Sequence, residues 1–218
     1  MENLIPHILL QAQNKMKISY AIPVCNEYLE LDRLLDVLQS CIDSEDEIII
    51  QCDKGNTKPE VYKVLDKYKQ PYIEFPLNHH FSNFKNNLKN HCTGDWIFQI
   101  DADELPHRSL IINLKTLLEM NPTIEMFLVP RVNTVEGLTQ EHINKWRWNV
   151  DEKGWVNWPD YQTRIIQNSP KIKWQNKVHE QIIGISTKGA LPMEEQWCLY
   201  HPKDIKRQEM QNNFYDTL

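Results

Sequence analysis

The stretch from Trp96 to Glu104 constrains this chain most, because an apolar run ends there in three acidic residues. Large apolar and β-branched side chains fill most of Trp96–Ile100, and Asp101, Asp103 and Glu104 follow directly. Apolar residues on both faces are typical of a central strand in a parallel sheet. We therefore predict a buried strand whose C-terminal end carries carboxylates at a sheet edge. Carboxylate oxygens suit Mg²⁺ or Mn²⁺, although an acidic loop after a strand would look the same in isolation.

Composition narrows the partners and the location that we expect. The 218 residues include 24 Lys and Arg against 30 Asp and Glu, so no basic field predicts a nucleic-acid partner. The six glycines form no phosphate-binding loop sequence. Five cysteines without Cys-x-x-Cys spacing favour reduced thiols and a cytoplasmic protein. The apolar run within residues 1–17 is too short for a signal peptide or a spanning helix, so we expect no transmembrane segment.

Strands and helices alternate in the first half of the chain. The predicted strands span residues 18–24, 47–52, 72–75 and 96–100. Between them, helices are predicted from residues 26–27, from a Thr57–Glu60 capping box with Pro59 in the first turn, and over residues 82–92. This alternation predicts a parallel α/β sheet with right-handed crossovers. Such sheets bind ligands outside the carboxyl ends of their strands, which is where the polar residues after each strand collect.

The pattern changes after Asp103. A fourth helix is predicted to end near Asn121, and a strand follows over residues 126–132. Residues 134–160 show no clear periodicity and are interpreted as a long functional or mobile loop. Short antiparallel strands are predicted over residues 164–166 and 172–174. We thus expect one domain over residues 18–202, an N-terminal extension over residues 1–17, and an amphipathic or frayed tail over residues 203–218.

Several short polar motifs follow one another along the chain, and their order and spacing can be compared with those of known families. They are Ile22-Pro23-Val24-Cys25-Asn26-Glu27, Asp53-Lys54-Gly55-Asn56-Thr57, Phe84-Lys85-Asn86 ahead of Thr93-Gly94-Asp95-Trp96, Asp101-Ala102-Asp103-Glu104, Pro159-Asp160-Tyr161-Gln162-x-Arg164, Trp174, and Val178-His179-Glu180. Each motif is weak alone, but their order and spacing resemble the family 2 glycosyltransferases of the GT-A fold over roughly residues 18–201. Cys25, Lys54 and Lys85 replace the Tyr, the second acid and the Arg that are usual in that family.

The resemblance implies a GT-A fold of the α/β class, with a mixed, mostly parallel central sheet flanked by helices. It also implies a nucleotide-sugar donor, usually a UDP-sugar, and inverting transfer to a glycan, a lipid-linked acceptor or a protein. The nucleotide-binding residues implied are Pro23, Glu27, Asp53, Lys85, Asp101 and Ala102. Among these, Asp53 would accept hydrogen bonds from the base, and Lys85 would approach the base or a phosphate.

A divalent cation, Mn²⁺ or Mg²⁺, is implied as the cofactor. The resemblance makes Asp103 the primary metal ligand, and Asp101 would contact both the ribose and the metal. Because the chain has few glycines and no phosphate loop, it would need this metal to hold the diphosphate. Given a metal at Asp103, His179 is predicted to complete its coordination, with His201 as a lesser candidate.

Inverting transfer also requires a general base that takes the proton of the acceptor hydroxyl. Asp160 is the predicted base, because it follows an aromatic-rich segment that could close over the acceptor. Glu180 is the alternative base, although it would otherwise orient His179 or a donor hydroxyl. Glu104 is interpreted as a helix N-terminal acid or a supporting partner of the site.

Two other functions are compatible with parts of the pattern. A phosphohydrolase would use Asp101 as nucleophile and Asp103 as acid, but three predicted strands precede the motif here and a downstream Lys in context is missing. A non-catalytic member of the same fold would bind a nucleotide or a carbohydrate without turnover. The presence of Asp101, Asp103, Asp160 and His179 favours an enzyme, and donor-hydrolysis assays with and without metal would separate the three functions.

Overall fold

The structure is a computed structural model that describes the backbone of residues 15–215 and the side chains of residues 15–210. Residues 1–14, most of the predicted N-terminal extension, lie outside the described residues. The strands are β1 Ile18–Val24, β2 Glu47–Asp53, β3 Tyr72–Phe75, β4 Trp96–Gln99, β5 Leu105–Pro106, β6 Met126–Glu136, β7 Val156–Gln167, β8 Lys173–Gln175, β9 Gln181–Ile183, β10 Lys188–Ala190 and β11 Leu199–Asp204. The helices are α1 Tyr28–Cys41, α2 Pro59–Lys67, α3 Phe81–Asn90, α4 Arg108–Met120, α5 Gln140–Trp146 and α6 Ile205–Tyr215.

Nine strands form the central sheet, in the order β3-β2-β1-β4-β7-β6-β11-β5 with β10 paired to β6. Strands β3, β2, β1 and β4 are parallel to one another. Strand β7 runs antiparallel between β4 and β6, and β11 is parallel to β6. The sheet is therefore mixed and mostly parallel, as predicted. Strands β8 and β9 form a separate antiparallel pair.

Helix α1 packs on the sheet through one apolar stripe. Its buried residues are Leu31, Leu34, Leu35 and Leu38, at helical spacing. These leucines join Ile22 of β1 and Phe98 of β4 in one continuous core. Because β3, β2, β1 and β4 are parallel, their carboxyl ends lie at the same edge of the sheet.

The start of helix α2 differs from the prediction. The N-cap is Lys58, without a side-chain cap, and the Thr57 hydroxyl donates instead to the Asp53 carbonyl at 3.0 Å. The predicted Thr57–Glu60 capping box is therefore wrong. The physical reason is Pro59, which restricts the residue before it to extended backbone and so begins the helix one residue later than a Thr57 cap requires.

Residues 134–160 are more ordered in secondary structure than the predicted long loop. Strand β6 continues to Glu136, α5 occupies Gln140–Trp146, and β7 begins at Val156. The predicted short strand over residues 164–166 is the end of this long β7. Mixed polar and aromatic sequence concealed these elements, because most residues of β7 are only partly buried and carry no simple alternation.

The chain after residue 202 also contributes to the sheet. Strand β11 runs through the predicted domain boundary, and Asp204 is still paired with Glu136 of β6. Helix α6 follows from Ile205, so at least residues 203 and 204 belong to the sheet and not to a tail. Across residues 15–215, no helix has the length and apolar character that spanning a membrane requires.

Candidate functional site

A cavity of about 510 Å³ opens where the carboxyl ends of β1, β2 and β4 meet, and we call it the edge cavity. Nine of the ten residues that we predicted for the site line it. They are Pro23, Glu27, Asp53, Lys85, Asp101, Ala102, Asp103, His179 and Glu180. These residues come from five separate parts of the sequence, so the fold brings together what the motifs only placed in order. Asp160 is the predicted residue that does not line this cavity.

Two carboxylates fix the rim of the edge cavity. Asp53 is 5% exposed; its Oδ1 accepts from the Leu77 backbone N–H at 2.9 Å, and its Oδ2 accepts from Asn56 Nδ2 at 3.0 Å. Glu27 Oε2 accepts from the backbone N–H groups of the two preceding residues, both at 2.9 Å. The loops after β1 and β2 are thereby held at the positions where a ligand would enter.

Glu104 fixes the turn formed by residues 101–104, which we call the acidic turn. Glu104 is 1% exposed and accepts from Arg164 at 2.6 and 2.8 Å and from Arg131 at 2.9 Å. Burial by itself would raise the pKa of Glu104, but the charges of Arg164 and Arg131 hold it below its usual value. Arg164 also donates to Asp101 Oδ2 at 2.5 Å. Glu104 is therefore a buried, ionised support that fixes the turn, in line with its predicted supporting role.

Asp103 faces two cationic or potentially cationic side chains. Its Oδ2 lies 3.2 Å from His201 Nε2 and 3.2 Å from Arg207 Nη2. Burial would raise the pKa of Asp103, whereas the hydrogen bond and charge of His201 bring it below its ordinary value. A lowered pKa keeps Asp103 ionised at neutral pH. Its neighbour His201 belongs to β11, which lies outside the motifs that predicted the site.

Asp160 lies in an ion pair on the neighbouring strands. Its Oδ2 accepts from Arg131 at 2.6 and 3.0 Å and from Asn133 at 2.9 Å, and its Oδ1 accepts from Gln162 at 2.7 Å. Burial would raise the pKa of Asp160, but the Arg131 charge and these hydrogen bonds keep it low. A carboxylate of low pKa with both oxygens engaged accepts a proton less readily than a free carboxylate does.

Comparison with known proteins agrees with this geometry. The model of the family described as "Glycosyl transferase family 2" matches residues 19–182, which is most of the chain. The chain belongs to glycosyl transferase family 2. The resemblance read from the motifs is confirmed, whereas no curated protein matches the sequence.

Of two solved structures that are similar to this family 2 chain, the first shares its architecture. The crystal structure of residues 1–349 of TarS from S. aureus has a TM-score of 0.59 and 12% identity, covering 86% of this chain and 60% of that one. Glucosyl-3-phosphoglycerate synthase from Mycobacterium tuberculosis, with Mg²⁺ and UDP, has a TM-score of 0.49 and 15% identity, covering 70% of this chain and 57% of that one. The family 2 chain thus spans less than two thirds of either. The predicted GT-A fold is confirmed.

The acidic turn of this family 2 chain has donor groups that suit a divalent cation. Asp103 offers carboxylate oxygens, Asp101 lies on the same turn, and His201 Nε2 is already 3.2 Å from Asp103. Hard oxygens with one imidazole fit Mn²⁺ or Mg²⁺. Within the part of the chain that the structure describes, no group of three or more His, Cys, Asp and Glu residues is arranged as a metal site. His179 lines the edge cavity, but the imidazole in contact with Asp103 belongs to His201.

Arg207 of α6 contacts Asp103 Oδ2, the same oxygen that His201 contacts, and would compete with a cation bound there. Its guanidinium also pairs with Glu30 at 2.8 Å and approaches Glu27 at 3.7 Å. Replacing it by Arg207→Gln should therefore raise the affinity for Mn²⁺ in the absence of nucleotide by about 2- to 5-fold, the size of a partly exposed ion pair. Titration calorimetry measures this change, and Arg108→Gln on the surface of α4 is the matched control. Unchanged or weaker Mn²⁺ binding by Arg207→Gln would contradict the competition.

Sequence reasoning missed three residues that surround the predicted carboxylates. Arg131 pairs with Glu104 and Asp160, Asn133 links Asp160 to His201, and Arg207 reaches Asp103. One signal was available for Arg131, since a charged residue within the otherwise apolar stretch of β6 needs a partner. Arg207 had no such signal, because nothing local in a polar helix indicates a contact with a turn more than a hundred residues away.

Proposed function

We propose that this chain is a metal-dependent inverting glycosyltransferase that moves a sugar from a UDP-sugar to a hydroxyl of a glycan, a lipid-linked acceptor or a protein. The observation that carries the proposal is the edge cavity, which collects the predicted nucleotide-binding residues beside the ionised Asp103. Family membership supports glycosyl transfer over a phosphohydrolase. The Arg164 contact with Asp101 also argues against Asp101 as a nucleophile.

The metal would be held by Asp103, with Asp101 and His201 as further ligands. When bound, the cation neutralises charge on the departing diphosphate, which contributes several kcal/mol to transition-state stabilisation. We favour His201 over His179 because His201 already contacts Asp103. The buried Glu104–Arg164 pair keeps the backbone of the turn in place, while the side chains of the three ligands would still have to converge on the cation.

Glu180 is the base that the geometry supports better. It lines the edge cavity and forms a part-buried ion pair with Lys85. Lys85 is the residue predicted to approach the base or a phosphate of the donor. If Lys85 turns toward the donor diphosphate, the Glu180 carboxylate is released to take the proton of the acceptor hydroxyl.

The donor is tested first by thermal denaturation. With Mn²⁺ present, UDP at about one hundred times its dissociation constant should raise the melting temperature by roughly 5–10 °C, because a ligand that binds only the folded state stabilises it by mass action. Chelation of the metal should remove most of this shift. A melting temperature unaffected by UDP and by UDP-sugars would contradict the proposed function. Release of UDP from a bound UDP-sugar then separates an enzyme from a non-catalytic binding protein.

The role of Asp53 gives a separate prediction. Asp53→Ala should weaken free UDP and UDP-sugar equally, by about 10-fold, because it removes a contact that is the same in the ground and transition states. The Michaelis constant for the donor should therefore rise while turnover stays the same. Calorimetry with UDP checks this, and Asp66→Ala on the outer face of α2 is the control. If UDP affinity is unchanged, Asp53 serves only to hold Leu77 and Asn56.

A further inference from the structure

Helix α6 reaches the edge cavity through the guanidinium of Arg207. Its Nη2 lies 3.2 Å from Asp103 Oδ2 and 3.7 Å from Glu27 Oε1, and its Nη1 lies 2.8 Å from Glu30 Oε1. Glu27 and Asp103 line the edge cavity, while Glu27 and Glu30 belong to the start of α1. One side chain of α6 therefore ties the start of α1 to the acidic turn.

The three carboxylates around Arg207 need a positive charge between them. Each has an oxygen within 3.7 Å of the same guanidinium, so the carboxylates lie close to one another and would repel without it. The side chain of Arg207 is 30% exposed, so solvent screens these ion pairs in part. In the absence of metal, Arg207 thus supplies part of the charge compensation that a divalent cation would supply at Asp103.

A divalent cation on Asp103 and the Arg207 contact oppose one another. Arg207 Nη2 donates to Asp103 Oδ2, so a cation held by this carboxylate would be a close positive neighbour of the guanidinium. Like charges at such a short separation repel, and the repulsion is strongest where solvent is partly excluded. The side chain of Asp103 is only 18% exposed. Binding of the metal therefore favours withdrawal of Arg207.

Helix α6 buries little of its own surface. None of its described side chains, residues 205–210, is buried, and Met210 is 72% exposed. The His142–Glu209 pair, at 3.5 Å, links α6 to α5 at a largely exposed position. A helix with so little buried apolar surface opens at a small cost in free energy. The ion pairs of Arg207 therefore contribute much of the free energy that docks α6.

We propose that α6 is an autoinhibitory latch: Arg207 holds the Asp103 carboxylate in the absence of metal, and binding of the divalent cation releases the helix from the acidic turn. This inference rests on the proposed function, since it assumes that Asp103 holds the metal. It adds a regulation of that site, because binding of the cation and docking of α6 weaken each other by the same factor.

Hydrogen exchange on the full chain tests the release. Saturating Mn²⁺ should speed exchange of the α6 backbone amides by about 3- to 10-fold, the size of two or three partly exposed ion pairs. Arg207→Gln should show the fast exchange without metal and should not respond further to Mn²⁺. Lys206→Gln, at an exposed neighbouring position of the same helix, is the matched control and should behave as the wild type.

Thermal melting gives a second readout. Without metal, Arg207→Gln should melt about 2–4 °C below the wild type, because the three carboxylates lose their shared counter-charge. Mn²⁺ should then raise the melting temperature of Arg207→Gln more than that of the wild type, since no latch has to be displaced. Lys206→Gln should melt as the wild type does in both conditions.

Any of three results would overturn the latch. They are wild-type α6 exchange that Mn²⁺ leaves unchanged or slows, Arg207→Gln exchange no faster than that of the wild type without metal, and equal Mn²⁺-induced shifts in melting temperature for the two chains. If the wild type binds no Mn²⁺, the metal site of the proposed function fails and the latch fails with it. If Mn²⁺ releases α6 but neither UDP nor a UDP-sugar binds, the proposed function fails and the latch stands. Should Arg207→Gln not fold, the effect of Mn²⁺ on the wild-type chain still decides.

Discussion

Asp103→Asn is expected to lower transfer at least ~100-fold and to make donor binding insensitive to Mn²⁺. The substitution keeps the size of the side chain but removes the negative charge that would hold the metal. In the structure this carboxylate lies 3.2 Å from His201 Nε2; burial raises its pKa, and the contact with His201 brings the pKa below its ordinary value. Loss of the metal removes the neutralisation of the departing diphosphate, which is worth several kcal/mol in the transition state.

The measurement for Asp103→Asn is titration calorimetry of UDP with and without Mn²⁺, together with turnover. Asp66→Asn, a surface aspartate of α2, is the matched control and should behave as the wild type. A circular dichroism melt of Asp103→Asn shows whether the fold is retained. A variant that binds UDP with the wild-type dependence on Mn²⁺ would remove Asp103 from the metal site.

Glu180→Gln is expected to lower turnover by roughly 100- to 10,000-fold, the usual range for removal of a general base. The amide keeps the shape of the side chain but cannot accept a proton at neutral pH. Because the base acts only in the transition state, free UDP affinity should not fall, and the release of Lys85 from its ion pair would if anything raise it. Steady-state transfer rates and UDP calorimetry measure the two effects separately.

Asp160→Asn is the comparison that decides between the two candidate bases. Its carboxylate is paired with Arg131 and bonded to Asn133 and Gln162. We expect it to lose folding stability, by about 1–3 kcal/mol for a hydrogen-bonded charge, and to keep most of its turnover. If Glu180→Gln keeps near-normal turnover while Asp160→Asn loses most of its turnover and binds UDP like the wild type, Asp160 is the general base.

Local sequence patterns were sufficient for the parallel half of the fold. The apolar stripe of α1 and the apolar runs of β1 and β4 depend on residues close in sequence, so their periodicity could be read directly. The edge cavity followed from the same information, because parallel strands with crossover helices place their carboxyl ends at one edge. That rule alone predicts that Glu27, Asp53 and Asp103 lie close together.

The partners of those carboxylates were decided by the tertiary structure alone. His201 and Arg207 reach Asp103 from β11 and α6, and Arg131 reaches Asp160 across the β6–β7 pairing. Such contacts depend on the register of strands distant in sequence, which no local period encodes. The same long-range pairing places the predicted base Asp160 in an ion pair with Arg131. The sequence therefore determined which carboxylates collect at the sheet edge, and the packing of the later strands determined which of them stay available for chemistry.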